Sequence, residues 1–252
     1  MIALVRRPAP TLDRCELTHL ARVPIDVERA SAQHQDYVRT LVELGAAIEW
    51  LPPLDAQPDG VFVEDTAVVL PELAVLTWPG VLSRQPEVAS VAPALQRHRL
   101  LRRIEPPAHL DGGDVLVLGR RVLVGHSSRT NAAGIEALRM ALAEFGYEVE
   151  GLRLRGALHL KSVCTVASAE CLIATADIEH RWLTGLHRIA VDAAEPRAAN
   201  TLTVGGSTLV SASYPRTAGR LREAGVRVRC VDVSELEKAE SGLTCMSLII
   251  NS

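Results

Sequence analysis

Aromatic residues are scarce in this sequence, since Phe, Trp and Tyr together make up 3% of its 252 residues. So few rings leave little surface on which nucleic-acid bases could stack, and a formal net charge of −3 offers no basic footprint for phosphates. We therefore expect no nucleic-acid partner. No apolar run approaches the roughly 20 residues needed to cross a bilayer. The start MIALVRRPAP also lacks the apolar centre and cleavage site of a signal peptide, so we expect a cytoplasmic protein with no membrane partner.

Paired cysteine motifs are missing as well. The five cysteines are odd in number and far apart, without CxxC or Cys/His ligand spacing: Cys15, Cys164, Cys171, Cys230 and Cys245. This pattern indicates neither a disulfide framework nor a zinc site. With 48% hydrophobic and 23% charged residues and no linker-like tract, the chain is typical of one globular domain over residues 1–252. Small-molecule chemistry is the expectation that remains.

One order of elements recurs along the chain: two short apolar runs across a turn, a helical pattern, and another apolar run. The predicted units are 62–70, 73–77, 86–97 and 100–104; 115–118, 122–124, 131–145 and 147–154; 163–167, 171–174, 178–183 and 188–191; and 201–204, 207–212, 217–224 and 226–233. The termini supply a fifth unit from 245–250, 2–5, 28–44 and 47–51. Five such units predict a closed α/β ring, with one unit split between the termini. A two-layer α/β sandwich is the alternative.

Polar residues interrupt the pattern at or just before the first strand of each unit. The segments are FVED ending at Asp65, LDGGD ending at Asp114, LHLKS around His159, AAN ending at Asn200 and GLTCMS around Cys245. In a ring with cyclic pseudosymmetry, equivalent positions converge on the axis. We therefore expect acids, a histidine and a cysteine to share one central site.

Cys245 and His159 together meet the requirement for covalent catalysis, because a thiolate beside an imidazolium is a strong nucleophile near neutral pH. Taken alone, a cysteine at the start of an apolar strand is more often a core residue, and a histidine between two leucines is more often a hydrogen-bonded core histidine. His109, next to the LDGGD segment, is the nearest rival to His159.

Four carboxylates stand in the same strand-start segments: Glu64, Asp65, Asp111 and Asp114. A planar, permanently charged guanidinium is a natural ligand for such a pocket, because carboxylates accept its N–H groups in pairs. Asp-Gly-Gly and Glu-Asp are also common turn sequences, and four carboxylates could instead hold a divalent cation. The cysteine and histidine pair makes a metal unnecessary.

Arg84 and Arg129 occupy corresponding strand-to-helix positions of two successive units. Fixed guanidinium groups there could bind a substrate carboxylate, although surface arginines without a role are far more common. Residues 8–26 are polar and lack a clear period. They could form a mobile lid over the site or a long connection.

The sequence resembles dimethylarginine dimethylaminohydrolases of the guanidine-modifying, or pentein, superfamily. The resemblance runs in order from Val5 to Leu248 and rests on PDGVFVED, WPG followed by Ser83-Arg84, LDGGD, SSRTNAAG, ALHLKS, ASYPRT and GLTCMSL. It implies a five-bladed ββαβ propeller with pseudo-five-fold symmetry. The implied activity is hydrolysis of N-methylated arginine to citrulline and methylamines, with no cofactor and no metal. The partner would be a small-molecule guanidino substrate, and the chain would be a monomer or homodimer.

The resemblance also implies a role for each matching position. Cys245 corresponds to the nucleophile, His159 to the general acid and base, and Asp111 to the third catalytic carboxylate. The remaining positions correspond to substrate-binding residues: Asp65 for the guanidinium, Arg84 and Arg129 for the α-carboxylate, and Asp59 and Glu64 near the α-amino group.

Two departures from the family pattern concern the choice of substrate. Asp111 is one methylene shorter than the glutamate of many relatives, and Gly60 replaces a serine. Arginine deimination or amidino transfer by the same site is an alternative activity. A pentein-shaped binding protein without catalysis is a further alternative, and it would lack the nucleophile.

Overall fold

Five β-sheets of three strands each make up the frame of the molecule. They are found in a computed structural model that describes residues 1–168, 170–175, 178 and 181–251. The strands are β1 (Ile2–Val5), β2 (Ala47–Trp50), β3 (Ala67–Val69), β4 (Leu73–Leu76), β5 (Leu100–Arg103), β6 (Val115–Leu118), β7 (Arg121–His126), β8 (Glu148–Arg153), β9 (Cys164–Val166), β10 (Cys171–Ala174), β11 (His187–Ala190), β12 (Leu202–Val204), β13 (Ser207–Ser211), β14 (Val228–Val231) and β15 (Ser247–Ile250). The α-helices are α1 (Val27–Glu43), α2 (Gln85–Gln96), α3 (Ala132–Leu142), α4 (Pro215–Glu223) and α5 (Ser234–Glu237).

Every sheet has the same topology. Its middle strand pairs antiparallel with one neighbour and parallel with the other, as β7 does with β6 and β8. The sheet at the termini follows the same rule, since β1 lies antiparallel to β15 and parallel to β2. The predicted five-bladed ββαβ propeller with one split blade is therefore confirmed, and the sandwich alternative is wrong.

The apolar core is divided into five clusters, and each cluster lies between two neighbouring blades. One cluster joins Val68 of β3 to Val122 of β7, and the next joins Leu123 of β7 to Leu172 of β10. The remaining three clusters join the other pairs of neighbouring blades. In one of them Leu4 of β1 packs against the blade of β3 to β5, which closes the ring. Each blade therefore buries both faces against its neighbours, which is why a single blade could not remove its apolar surface from water.

Tight turns, and not strands, carry the polar residues at the blade entrances. The predicted strand from residue 62 begins only at Ala67, because Val63–Thr66 form a 3₁₀ turn, and the strand predicted from 245 begins at Ser247. A hydrogen bond to another blade holds the Val63–Thr66 turn in place of a pairing within its own sheet. The Glu64 N–H donates to the Cys245 carbonyl of another blade, 3.1 Å away.

The helices depart from prediction in two places. Of the helix predicted at 178–183, residues 179 and 180 lie outside the described residues, and Arg181–Leu183 form a 3₁₀ turn. The helix α5 was not predicted, since four residues are too few to show a helical period.

Within the described part of the chain, no helix is both long and apolar enough to cross a bilayer. The expectation of one domain over residues 1–252 stays a prediction.

Candidate active site

The turns before β3, β6, β9 and β15, here called the entrance turns, lie next to one another. Besides the contact between Glu64 and Cys245, the Gly113 N–H donates to Asp65 Oδ1 over 3.0 Å. A Cβ atom at Gly113 would lie 2.7 Å from His159 Nδ1 and 2.8 Å from Asp65 Oδ1. Only glycine therefore allows this backbone to pass between the acid and the imidazole.

His159 is buried between two carboxylates. Its Nε2 atom lies 3.1 Å from Asp111 Oδ2 and 3.9 Å from Asp65 Oδ1. Burial acts to lower the pKa of His159, but the charge of Asp65 and the hydrogen bond to Asp111 outweigh it and raise the pKa to about 9. The ring is therefore a cation at neutral pH, and it can donate a proton.

Asp65 stays ionised although it is buried. Burial acts to raise its pKa, but the positive charges of His159 and Arg84 and the hydrogen bonds from Arg84 and Gly113 lower it to about 2. Arg84 Nη1 lies 2.5 Å from Asp65 Oδ2. Asp111 is completely buried, and its Oδ1 accepts the Gly80 N–H over 3.1 Å. Both acids are thus fixed before any ligand arrives.

Cys245 is half-buried, and its Sγ accepts the Gly242 N–H over 3.3 Å. Burial, together with the charges of Glu64 and Asp65, raises the pKa of the thiol to about 12. Without a ligand, Cys245 is therefore a neutral thiol. A cation placed beside the two acids would remove part of the repulsion that opposes its ionisation.

Glu64 does not share the histidine cluster. Its carboxylate accepts from Lys161 Nζ over 2.7 Å and from the Thr244 hydroxyl. These contacts tie the turn before β3 to the residue next to Cys245. They favour a structural role for Glu64 beside Cys245, so contact of Glu64 with a substrate stays a prediction.

Arg84 is fully engaged in a buried ion cluster. Beyond Asp65, its Nη2 donates to Glu87 Oε2 over 2.9 Å and to the Phe62 carbonyl over 3.0 Å. Burial acts to lower the pKa of Arg84, but Glu87 and Asp65 raise it well above its ordinary value. These contacts favour orientation of Asp65, so binding of a substrate carboxylate by Arg84 stays a prediction.

Residues Glu16 to Pro24, here called the strap, contact the remaining predicted site residues. The Glu16 N–H donates to Asp59 Oδ2 over 3.1 Å, and Arg129 Nη2 donates to Thr18 Oγ1 over 2.9 Å. Burial above all raises the pKa of Asp59. Leu12 lies outside the strap and is completely buried, so part of the predicted 8–26 lid belongs to the core.

One group of residues offers atoms close enough to hold a metal ion. Among the described residues, Asp65, Asp111 and His159 present ligand atoms within 4.8 Å of one another. The Arg84 guanidinium on Asp65 and the protonated His159 already supply positive charge there. A divalent cation would have to displace the proton from His159 and would face repulsion from Arg84.

Comparisons with known proteins show the family. The sequence is 38% identical to N(G),N(G)-dimethylarginine dimethylaminohydrolase from Streptomyces coelicolor, over 98% of this chain and 95% of that protein. It is 33% identical to the enzyme of the same name from Pseudomonas aeruginosa, over 97% of each chain. The chain belongs to the dimethylarginine dimethylaminohydrolase family.

Solved structures agree with this membership. A variant of the Pseudomonas aeruginosa dimethylarginine dimethylaminohydrolase in complex with citrulline matches with a TM-score of 0.94 and 32% identity, over 98% of this chain and 97% of that one. The arginine deiminase family model matches residues 81–196. The predicted resemblance is thus confirmed, and so is the class of enzyme, a hydrolase.

Several residues that build the site were not predicted. They are Glu87, which neutralises Arg84; Lys161, which holds Glu64; and Glu240, which contacts the strap. Asp114 was predicted only as one of four carboxylates, without a role of its own. Its Oδ1 accepts the N–H of Leu160, the residue after His159, over 2.9 Å. The sequence signal for Asp114 was its place in LDGGD, and the signal for Glu87 was its spacing of three residues from Arg84. The partners of Lys161 and Glu240 lie in distant segments.

Proposed function

We propose that this protein hydrolyses N-methylated arginine to citrulline and a methylamine through a covalent intermediate on Cys245. The observation that carries the proposal is a protonated histidine held between two buried aspartates, Asp65 and Asp111, with a cysteine on the adjoining entrance turn. His159 lies 3.1 Å from Asp111, and Asp65 acts electrostatically on both His159 and Cys245. Family membership independently supports chemistry on a guanidino compound.

Binding comes first in the proposed mechanism. The guanidinium of the substrate lies against Asp65 and Asp111, and these charges hold it in one orientation. The substrate carboxylate takes the Arg129 donors now used by Thr18, and the α-amino group takes the Asp59 oxygens now used by the Glu16 N–H. The bound cation stabilises the thiolate, and the thiol proton passes to solvent.

Bond exchange follows at the guanidino carbon. The Cys245 thiolate attacks this carbon and forms a C–S bond, while the protonated His159 donates its proton to the departing nitrogen. The C–N bond breaks and methylamine or dimethylamine leaves. The substrate is then joined to the enzyme as an S-alkylthiouronium.

Hydrolysis restores the enzyme. Neutral His159 removes a proton from water, and the resulting hydroxide attacks the same carbon. The C–S bond breaks, the hydroxyl proton of the addition product passes to the Cys245 sulfur, and citrulline leaves, so that Cys245 and His159 return as thiol and imidazolium. Atoms and charge balance without a cofactor.

A substrate panel tests the proposal. Monomethylarginine, both dimethylarginines, arginine and agmatine are each incubated with the enzyme, and the ureido product and released amine are measured. We expect turnover of at least one methylated arginine and none by Cys245→Ser. Mass spectrometry of an acid-quenched reaction should find a substrate adduct on the peptide carrying Cys245. An active Cys245→Ser enzyme would overturn the mechanism.

Arginine deimination is the second candidate, and the match to the arginine deiminase family model over residues 81–196 favours it. The same panel separates the two activities, because arginine would then release ammonia faster than its methylated forms release methylamines. Adding an amine acceptor to the panel detects amidino transfer, which would yield a new guanidine in place of the ureido product.

A further inference from the structure

Glu240 combines an unusual backbone with an unusual set of contacts. Its φ of 59° lies in the left-handed region, where no other non-glycine residue is found in the described chain. Its carboxylate accepts three successive N–H groups of the strap: Thr18 at 2.9 Å, His19 at 2.5 Å and Leu20 at 2.5 Å. Successive N–H groups of this kind form a concave anion site, and bonds to a charged acceptor are strong. A strained residue is thus kept in place by what its side chain binds.

The strap has few other polar attachments near its centre. Its flanking residues Cys15 and Ile25 are buried, but most of the residues between them are exposed. Two of its contacts are to Asp59 and Arg129, the side chains proposed to bind the two ends of the substrate. A ligand would take over both of those contacts. The attachment to Glu240 would remain, because it involves no proposed ligand-binding residue.

Glu240 is also connected to the nucleophile by a short, crowded turn. Gly242, two residues further along, donates its N–H to Cys245 Sγ over 3.3 Å. A Cβ atom at Gly242 would lie 2.1 Å from Asn200 Cγ, and the Thr244 N–H donates to Asn200 Oδ1 over 2.9 Å. The segment from 240 to 245 therefore has little freedom to move without shifting the sulfur.

We propose that Glu240 is a positioning residue. Its carboxylate latches the strap over the bound ligand and, through the turn to Gly242, holds the Cys245 sulfur against the ligand carbon. This inference rests on the proposed role of Cys245 as nucleophile.

Glu240→Gly and Glu240→Gln test the latch. Glycine adopts a positive φ without strain, so Glu240→Gly removes the carboxylate while its thermal midpoint stays within a few degrees of the unmodified protein. Trypsin cleavage after Arg22, inside the strap, should become at least tenfold faster in E240G, and kcat on the best substrate of the panel should fall at least tenfold. E240Q keeps an oxygen for the His19 and Leu20 N–H groups and should fall between the two proteins in both measurements.

Glu43→Gln is the matched control, because it removes a carboxylate from an exposed pair with Arg229. It should change neither cleavage nor kcat. Unchanged cleavage in E240G would overturn the latch, and faster cleavage with unchanged kcat would overturn the link to Cys245. Trypsin cleavage needs no turnover, so the latch can be judged even if no guanidine in the panel is a substrate.

Discussion

Two aspartates, Asp65 and Asp111, determine the protonation state of His159. Burial favours a neutral ring, yet Asp65 and the bond to Asp111 raise the pKa to about 9. Because the proposed mechanism donates this proton to the departing amine, kcat should decline as pH rises through about 9. Asp111→Asn removes the charge but leaves Asp65, so the pKa of His159 should decrease. The alkaline limb of kcat should then move to lower pH, with a loss on the order of 10²-fold at neutral pH.

Asp111→Glu is the matched control, since it restores a carboxylate at the same position and should keep the alkaline limb near that of the unmodified enzyme. An alkaline limb of kcat that stays at the same pH in Asp111→Asn would show that the group titrating there is not His159.

Cys245, His159 and the acids could be predicted because they recur at strand starts. Glu87 lies three residues after Arg84 at the start of α2, a spacing at which helix side chains meet, so this ion pair was within reach of the sequence. The contact of Arg84 with Asp65 was not, because the two residues lie in different segments.

The helix α3 begins at a residue that also supports the LDGGD segment. Asn131 Oδ1 accepts the Gly134 N–H at 2.8 Å and the His109 N–H at 3.1 Å, and its Nδ2 donates to the Pro107 carbonyl. Asn131→Ala leaves two N–H groups without this acceptor. It should therefore destabilise the protein by about 1–2 kcal/mol, measured by urea unfolding.

Asn131→Asp tests the same cap with one group changed. It keeps the acceptor oxygen and loses only the bond to Pro107, so it should retain more than half of the stability lost in Asn131→Ala. Equal losses in the two variants would assign the effect to the Pro107 bond instead of the helix cap.

Most elements could be predicted from the sequence because their local patterns agree with their place in a blade. The strand β10 and the helix α2 were predicted within one residue at each end. The entrance turns were not, because FVED and part of GLTCMS adjoin apolar runs and were included in the strands predicted at 62–70 and 245–250. Contacts between blades, such as Glu64 to Cys245, convert them from strands to turns.

At the scale of the whole molecule, the ring is closed by hydrogen bonds between the two ends of the chain. Ile2 lies opposite Ile250 in the antiparallel pair of β1 and β15, so the ends of the two strands lie side by side. Each apolar cluster joins neighbouring blades, and covalent continuity between β15 and β1 is not needed to form the split blade. Stability should depend on blade contacts and little on where the chain is cut.

A circular permutant tests this argument. A Gly/Ser linker of about five residues would join the present termini, and new termini would open between Gly119 and Arg120, an exposed turn where Gly119 has a φ of 64°. We expect a cooperative thermal transition within a few degrees of the unmodified protein, and kcat within about threefold of it. Opening the chain between Leu123 and Val124, both completely buried in β7, should instead abolish folding. If the first permutant also failed to fold, chain continuity through the turn at Gly119 would be holding the ring together, and not the contacts between blades.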